Sequence, residues 1–164
     1  MFVETEHCKI KTCNNREFKN HIDKLAEQNF DLPTIKLNPG QRKEDFLPAI
    51  EKLALSLTLA ETSEDDSLFE IQIEEESAGY IRLVNVSTNC PEIGVALLPK
   101  FQGKGYAYEA LSAFLEECDY PTIIWRANPN NVASSKLAKK LGATLDAMAT
   151  ESVGGIIETY ILRK

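Results

Sequence analysis

No stretch of this sequence approaches the roughly 18 consecutive apolar residues that read as a membrane-spanning helix. Its opening, "MFVETEHCKIK", carries charge where a secretory leader is apolar. A helical membrane protein is thereby excluded, and a cytoplasmic location is expected. Histidine is scarce, with two residues, and the four cysteines, Cys8, Cys13, Cys90 and Cys118, are scattered. A structural zinc site takes four donors in two close pairs, so His7, Cys8 and Cys13 fall short of one and no metal is expected. A cytosolic chain of this size needs no disulfides to hold its core, and the cysteines are expected as thiols. Basic residues are outnumbered, 18 against 25 acidic ones, for a net charge of -7. That balance disfavours a nucleic-acid backbone as partner and mildly favours a cationic one. Internal repeats and low-complexity segments are absent.

What is present suits one globular domain over residues 1–164, with 43% hydrophobic and 26% charged residues. "CKIKT" alternates Cys8, Ile10 and Thr12 against Lys9 and Lys11, the period of a half-buried strand. After the cap-forming Asn14 and Asn15, the spacing of Phe18, Ile22, Leu25 and Ala26 predicts a helix over residues 16–28. The prolines and glycine of "FDLPTIKLNPG" predict a loop, and Phe46, Ile50, Leu53, Ala54 and Leu57 predict a second helix. "LFEIQI" and "YIRLVNV" read as a hairpin whose turn holds Gly79.

A third strand, "EIGVALL", contains Gly94, which in a strand signals a bulge or a close backbone approach, and Pro99 ends its ladder. Helical spacing from Ala107 to Cys118 then predicts about four turns starting near Lys104. "TIIW" reads as a buried strand, Ala133, Leu137 and Leu141 mark a helix capped by Gly142, and two strands follow, over residues 144–150 and 156–162. Strand-helix alternation flanked by hairpins implies an α/β (α+β) domain with a mixed sheet and helices on both faces.

Between the third strand and its helix lies "LPKFQGKGYAYEAL". A helix start offers unpaired N–H groups and the positive end of the helix dipole, and glycines let an anion approach the backbone. Gly103 and Gly105 with Lys104 therefore fit a phosphate cradle, and they equally fit a plain strand-to-helix turn. Dinucleotide and NTPase signatures fail on spacing. The third glycine of G-x-G-x-x-G is missing, and Gly105 is not followed by Lys and then Ser or Thr.

The run does resemble the signature of the GNAT superfamily of acetyl-CoA-dependent N-acetyltransferases, which Gln102, Gly105 and Ala107 match in place. A second segment, "ANPNNVASSKLAKKLGA", resembles the family's next strand-to-helix stretch, with Asn131 and Ser134 at its Asn-x-x-Ser positions. Together the two cover residues 92–143. Within the superfamily, "EIGVALLPKFQGKGYAYEAL" is most similar to the branch that acetylates ribosomal-protein N-termini and related amines. The resemblance implies a mostly antiparallel sheet of six or seven strands.

It also implies a site. Backbone amides from Gln102 through Gly103, Lys104, Gly105 and Tyr106 to Ala107 would hold the CoA pyrophosphate. Val95 and Leu97 would pair with the pantetheine arm where the sheet splays. A backbone N–H near Leu97 or Leu98 would steady an oxyanion, and Glu92 would act as general base for an amine attacking the thioester directly. Asn131 and Ser134 would join the cofactor site. Ordinary structural uses stand beside these roles: a strand carboxylate at Glu92, and caps at Asn131 and Ser134. The family's acid, a tyrosine four residues after the serine position, is replaced by Ala138. That departure leaves three options: an unaided thiolate, another acid such as Tyr160 or Ser135, or a catalytically weak CoA-binding module. The expected partners are acetyl-CoA and an amine acceptor, with no nucleic acid and no membrane, and a homodimer is the candidate assembly. Acceptor choice is expected to lie in residues 30–40 and 151–155.

Overall fold

The computed structural model describes residues 1–14, 16–17, 65–127, 129–150 and 156–164. In chain order these form β1 (Phe2–Glu4), β2 (Cys8–Cys13), β3 (Ser67–Ile73), β4 (Glu76–Val84), β5 (Glu92–Leu97), α1 (Tyr106–Glu117), β6 (Thr122–Ala127), α2 (Val132–Lys140), β7 (Thr144–Thr150) and β8 (Ile156–Arg163). The strands make one eight-stranded sheet in the order β1-β2-β3-β4-β5-β6-β8-β7. β5 and β6 run parallel, whereas β3–β4, β4–β5, β6–β8 and β7–β8 are antiparallel. The strand count exceeds the expected six or seven. Beyond Glu17 the first expected helix, the loop after it and the second expected helix, together with the loop over residues 151–155, lie outside the described residues.

By contacts the chain divides into two compact units, one of Met1–Thr12 with Asp65–Lys164 and one of Cys13–Glu64. In the second, the described residues show how a helix start is specified. Asn14 Oδ1 accepts from Glu17 N at 2.9 Å and Glu17 Oε2 accepts from Asn14 N at 3.1 Å, the reciprocal bonds of a capping box.

In the first unit, strand parity sorts the side chains. Phe69, Ile71 and Ile73 of β3, Ile81 and Leu83 of β4 and Ile93 and Leu97 of β5 are buried in one core with Ala110, Leu111, Phe114 and Leu115 of α1. Phe69 and Phe114 meet edge to face, 4.8 Å between centroids. Each of the Ile, Leu and Phe side chains among them contributes about 1.5–3 kcal/mol by leaving water.

Three details depart from the sequence reading. Thr12 is exposed and its hydroxyl accepts from the Met1 amine at the end of the β1–β2 ladder, so the inward alternation of β2 stops at Ile10. The hairpin turn is Glu74–Glu75, both left-handed at φ 53° and 63°, so the connection needs only two residues. Gly79 sits inside β4 instead, opposite Leu97. Finally, Gly94 makes no bulge and no close approach: it pairs in regular register with Arg82, and a Cβ there would meet nothing within 4 Å.

Candidate functional site

The sheet opens between β5 and β6. Their parallel pairing is confined to Glu92 opposite Ile124 and Ile93 opposite Trp125, after which β6 continues with β8 alone. Leu98 N donates to Ala78 O at 2.8 Å, and successive residues of an antiparallel strand bond to alternate sides. Residues 92, 94, 96 and 98 therefore bond toward β4, while 93, 95 and 97 face β6. Beyond Ile93 the backbone groups of Val95 and Leu97 face the open fork. The Leu97 carbonyl is taken by Gln102 Nε2 at 2.8 Å. Val95 N–H, Val95 C=O and Leu97 N–H remain directed into the gap.

This geometry corrects one expectation. The Leu98 N–H, expected as an oxyanion donor, is committed to Ala78 and points away from the fork. Leu97 is the residue whose N–H faces it.

Past β5 the chain makes a single 3-10 turn, Pro99–Phe101, and reaches the glycines. Gly103 has φ 74° and Gly105 φ 88°, left-handed values that strain any residue with a Cβ. Gly105 is the N-cap of α1 and no side chain caps that helix. The first amides of α1, those of Tyr106, Ala107 and Tyr108, have no carbonyl one turn back. Lys104 is exposed, and the Tyr106 ring lies 6.4 Å from that of Phe101. α1 itself is shorter than the expected four turns, at 12 residues.

At the closed base of the fork, where β5 and β6 are still paired, Glu92 is partly exposed and its carboxylate lies 3.5 Å from Arg126 Nε. Arg126 escaped the sequence reading because its strand was read only as apolar "TIIW". Parity of β6 is the signal that could have found it, two residues beyond Ile124, the partner of Glu92.

Asn131 and Ser134 do structural work. Asn131 Oδ1 caps α2 by accepting from Ser134 N at 3.2 Å, and Ser134 Oγ accepts the buried Trp125 indole N–H at 2.9 Å. Gly142, at φ 91°, ends α2 as expected. The two alternative acids are tied up elsewhere. Tyr160 Oη and Ser135 Oγ both donate to Glu158 Oε2, at 2.7 and 3.0 Å. Tyr160 and Ala138 are wholly buried, and Ser135 nearly so. Those two bonds, with the Lys139 charge adding to them, hold the Glu158 carboxyl below its usual range.

The fork offers unpaired backbone donors and an acceptor along β5, an uncapped helix start at its end, and a carboxylate at its closed base. An extended amide-bearing ligand ending in phosphates fits that set. Among the described residues no group of three or more His, Cys, Asp or Glu side chains is placed to hold a metal, and no helix is long and apolar enough to cross a membrane.

Comparison with known families finds the acetyltransferase (GNAT) domain over residues 20–144. No curated protein sequence matches. Solved structures do. RimL, a ribosomal L7/L12 alpha-N-protein acetyltransferase in complex with coenzyme A, superposes with TM-score 0.68 at 14% identity, over 99% of this chain and 98% of its own. A ribosomal-protein-S5-alanine acetyltransferase from Vibrio fischeri gives TM-score 0.68 at 16% identity, over 99% and 96%. A chimera of the Vibrio cholerae spermidine N-acetyltransferase SpeG with hSSAT gives 0.66 at 12%, over 96% of both. At such identities the likeness is one of fold.

Proposed function

The chain belongs to the acetyltransferase (GNAT) family and is an acetyl-CoA-dependent acyltransferase, and from that premise we propose that it moves the acetyl group to a primary amine by direct attack within a ternary complex. The acceptor is a protein N-terminal amine or a small-molecule amine. Structural neighbours that acetylate ribosomal proteins and one that acetylates spermidine support both acceptor types. The observation that carries the reading is the fork itself, with Val95 and Leu97 facing an unpaired gap that ends at the Gly103–Gly105 turn.

In this reading Val95 N–H and C=O pair with the pantetheine amides. The amides from Gln102 to Ala107, with Lys104 beside them, hold the pyrophosphate, and Gln102 also braces the turn through its bond to Leu97 O. Acetyl-CoA supplies an acyl group already activated as a thioester. Leu97 N–H donates to the oxygen on which charge develops, fixed in place before the reaction by the β4 ladder. Glu92 takes the ammonium proton of the acceptor directly or through water, and Arg126 holds its carboxylate at the fork. With Tyr160 and Ser135 bonded to Glu158, neither protonates the departing sulfur. A thiol of pKa about 8.5 leaves as thiolate near neutral pH without an acid. Asn131 and Ser134 shape the far wall through α2.

The test is thermal stabilisation and calorimetric binding with acetyl-CoA, followed by free-thiol release across a panel of amines and N-terminal peptides. Binding with amine-dependent thiol release is expected. Binding without release from any amine would reduce the chain to a CoA-binding module, and no binding would end the cofactor assignment.

A further inference from the structure

The glycine turn that precedes α1 has no side-chain cap, and two left-handed glycines leave it little intrinsic stiffness. A turn that must present amides to an anion has to be held at both ends. Gln102 holds the strand end. The helix end is held by Glu109, whose own N–H makes the first intrahelical bond, 3.1 Å to Gly105 O.

Both oxygens of the Glu109 carboxylate reach the connection between β1 and β2. Oε1 accepts from Thr5 Oγ at 2.6 Å and from His7 N at 2.8 Å, and Oε2 lies 3.0 Å from His7 Nδ1. The same connection touches Tyr106 twice: the His7 ring lies 5.8 Å from the Tyr106 ring, and Cys8 Sγ points to Tyr106 O at 3.9 Å. Thr5 Oγ also accepts from Cys8 N at 2.9 Å, so the connection is itself braced.

An ionised carboxylate one turn inside α1 would compete with a phosphate for the positive end of the helix. Burial alone would raise its pKa, but the bonds from Thr5 and His7 outweigh that and hold it low, so the charge stays and is spent on those donors. The carboxylate faces the β1–β2 connection, leaving the amides of Tyr106 and Ala107 to an incoming anion.

We infer that Glu109 is a positioning residue for acetyl-CoA, locking the first turn of α1 to Thr5 and His7 so that the glycine turn holds its amides in the geometry a pyrophosphate needs. This rests on the reading of that turn as the pyrophosphate site. Its effect is specific: loosening the clasp weakens the cosubstrate and leaves the amine and the chemical step alone.

The full chain is assayed as wild type, Glu109→Ala, Glu109→Gln and Thr5→Val, with acetyl-CoA calorimetry, steady-state kinetics and melting temperature for each. Glu109→Ala is expected to raise the acetyl-CoA KM about tenfold, the equivalent of roughly one net hydrogen bond, with kcat and the amine KM within about twofold. Glu109→Gln keeps an oxygen for Thr5 and His7 N–H and should recover most of the loss. Thr5→Val, which breaks the clasp from outside the helix, should move the same constant in the same direction and carries the test if Glu109→Ala does not fold. A purely structural Glu109 would lower the melting temperature without changing the acetyl-CoA KM, and that result overturns the inference. If the wild type fails to bind acetyl-CoA, the cofactor reading falls first and the inference with it.

Discussion

Gly79 of β4 and Ala96 of β5 lie so close that a Cβ at position 79 would collide with the Ala96 carbonyl oxygen, and would come within 2.9 Å of Leu97 Cα. Both obstructing atoms are backbone of the strand that borders the fork, so neither can swing aside. Gly79→Ala should destabilise the protein by about 1–3 kcal/mol, the range of overpacked cores. It should also weaken acetyl-CoA binding, because relief requires β5 to move. Melting temperature and calorimetry report the two effects, and an unchanged pair would show that the approach is not tight in solution.

Gly105 and Gly94 make a matched contrast. A Cβ at either meets nothing within 4 Å, but only Gly105 has a left-handed φ, 88°. Gly105→Ala should therefore cost about 1–2 kcal/mol of backbone strain or shift the turn, and acetyl-CoA affinity should fall. Gly94→Ala should leave stability unchanged or slightly raised, since alanine in a strand costs less than glycine. Equal losses at both positions would show that something other than backbone conformation decides them.

How far the residues alone reached depended on how local each feature was. Periodicity is a property of neighbouring residues, and it placed β3, β5, α1, β6, α2, β7 and β8 close to where they form. The two-residue turn at Glu74–Glu75 was missed because glutamate carries no turn signal, and Gly79 drew the reading toward itself. At the site, Gln102 and the glycines announced themselves, whereas Arg126 opposite Glu92, and Thr5 and His7 around Glu109, come together only through strand pairing or helix packing. Neither the Leu98 bond to Ala78 nor the Tyr160 bond to Glu158 is written in local spacing.

Restoring the family's tyrosine should fail as a gain of function. Ala138 has no exposed surface and packs within the core, so Ala138→Tyr places a phenol where no volume exists. A loss of about 1–3 kcal/mol or more is expected, with no increase in kcat. A stable, faster variant would mean that α2 can turn the side chain toward the fork and that a missing acid limits the wild type.

Glu92→Gln separates the base from its ion pair. The amide keeps the shape but cannot take a proton, so kcat should fall about 100-fold, the low end for general-base loss. Raising the pH should restore part of the rate as more of the amine is already neutral. Acetyl-CoA affinity should hold, because the path proposed for the cosubstrate runs along Val95 and Leu97. A rate unchanged across pH would remove Glu92 from the role, leaving it only the contact with Arg126.

The Glu158 cluster makes a prediction about acid stability whose sign can be worked out. Tyr160 and then Ser135 donate to the carboxylate, with Lys139 adding to them, and its folded pKa is lowered. A carboxyl lowered on folding contributes stability that is fully present above its unfolded value, about 4.3, and is lost as the pH falls through the folded value. The Glu158→Gln variant has no carboxylate to protonate, although its amide oxygen can still accept from both hydroxyls. The wild type should therefore melt higher than the variant at pH 7, and the gap should close as the pH falls below about 4.3 and through the lowered folded value. A gap that stays constant over that interval would mean the two hydroxyls do not stabilise the ionised form. Tyr160 would then be released from its assignment, and its hydroxyl would return as a candidate acid.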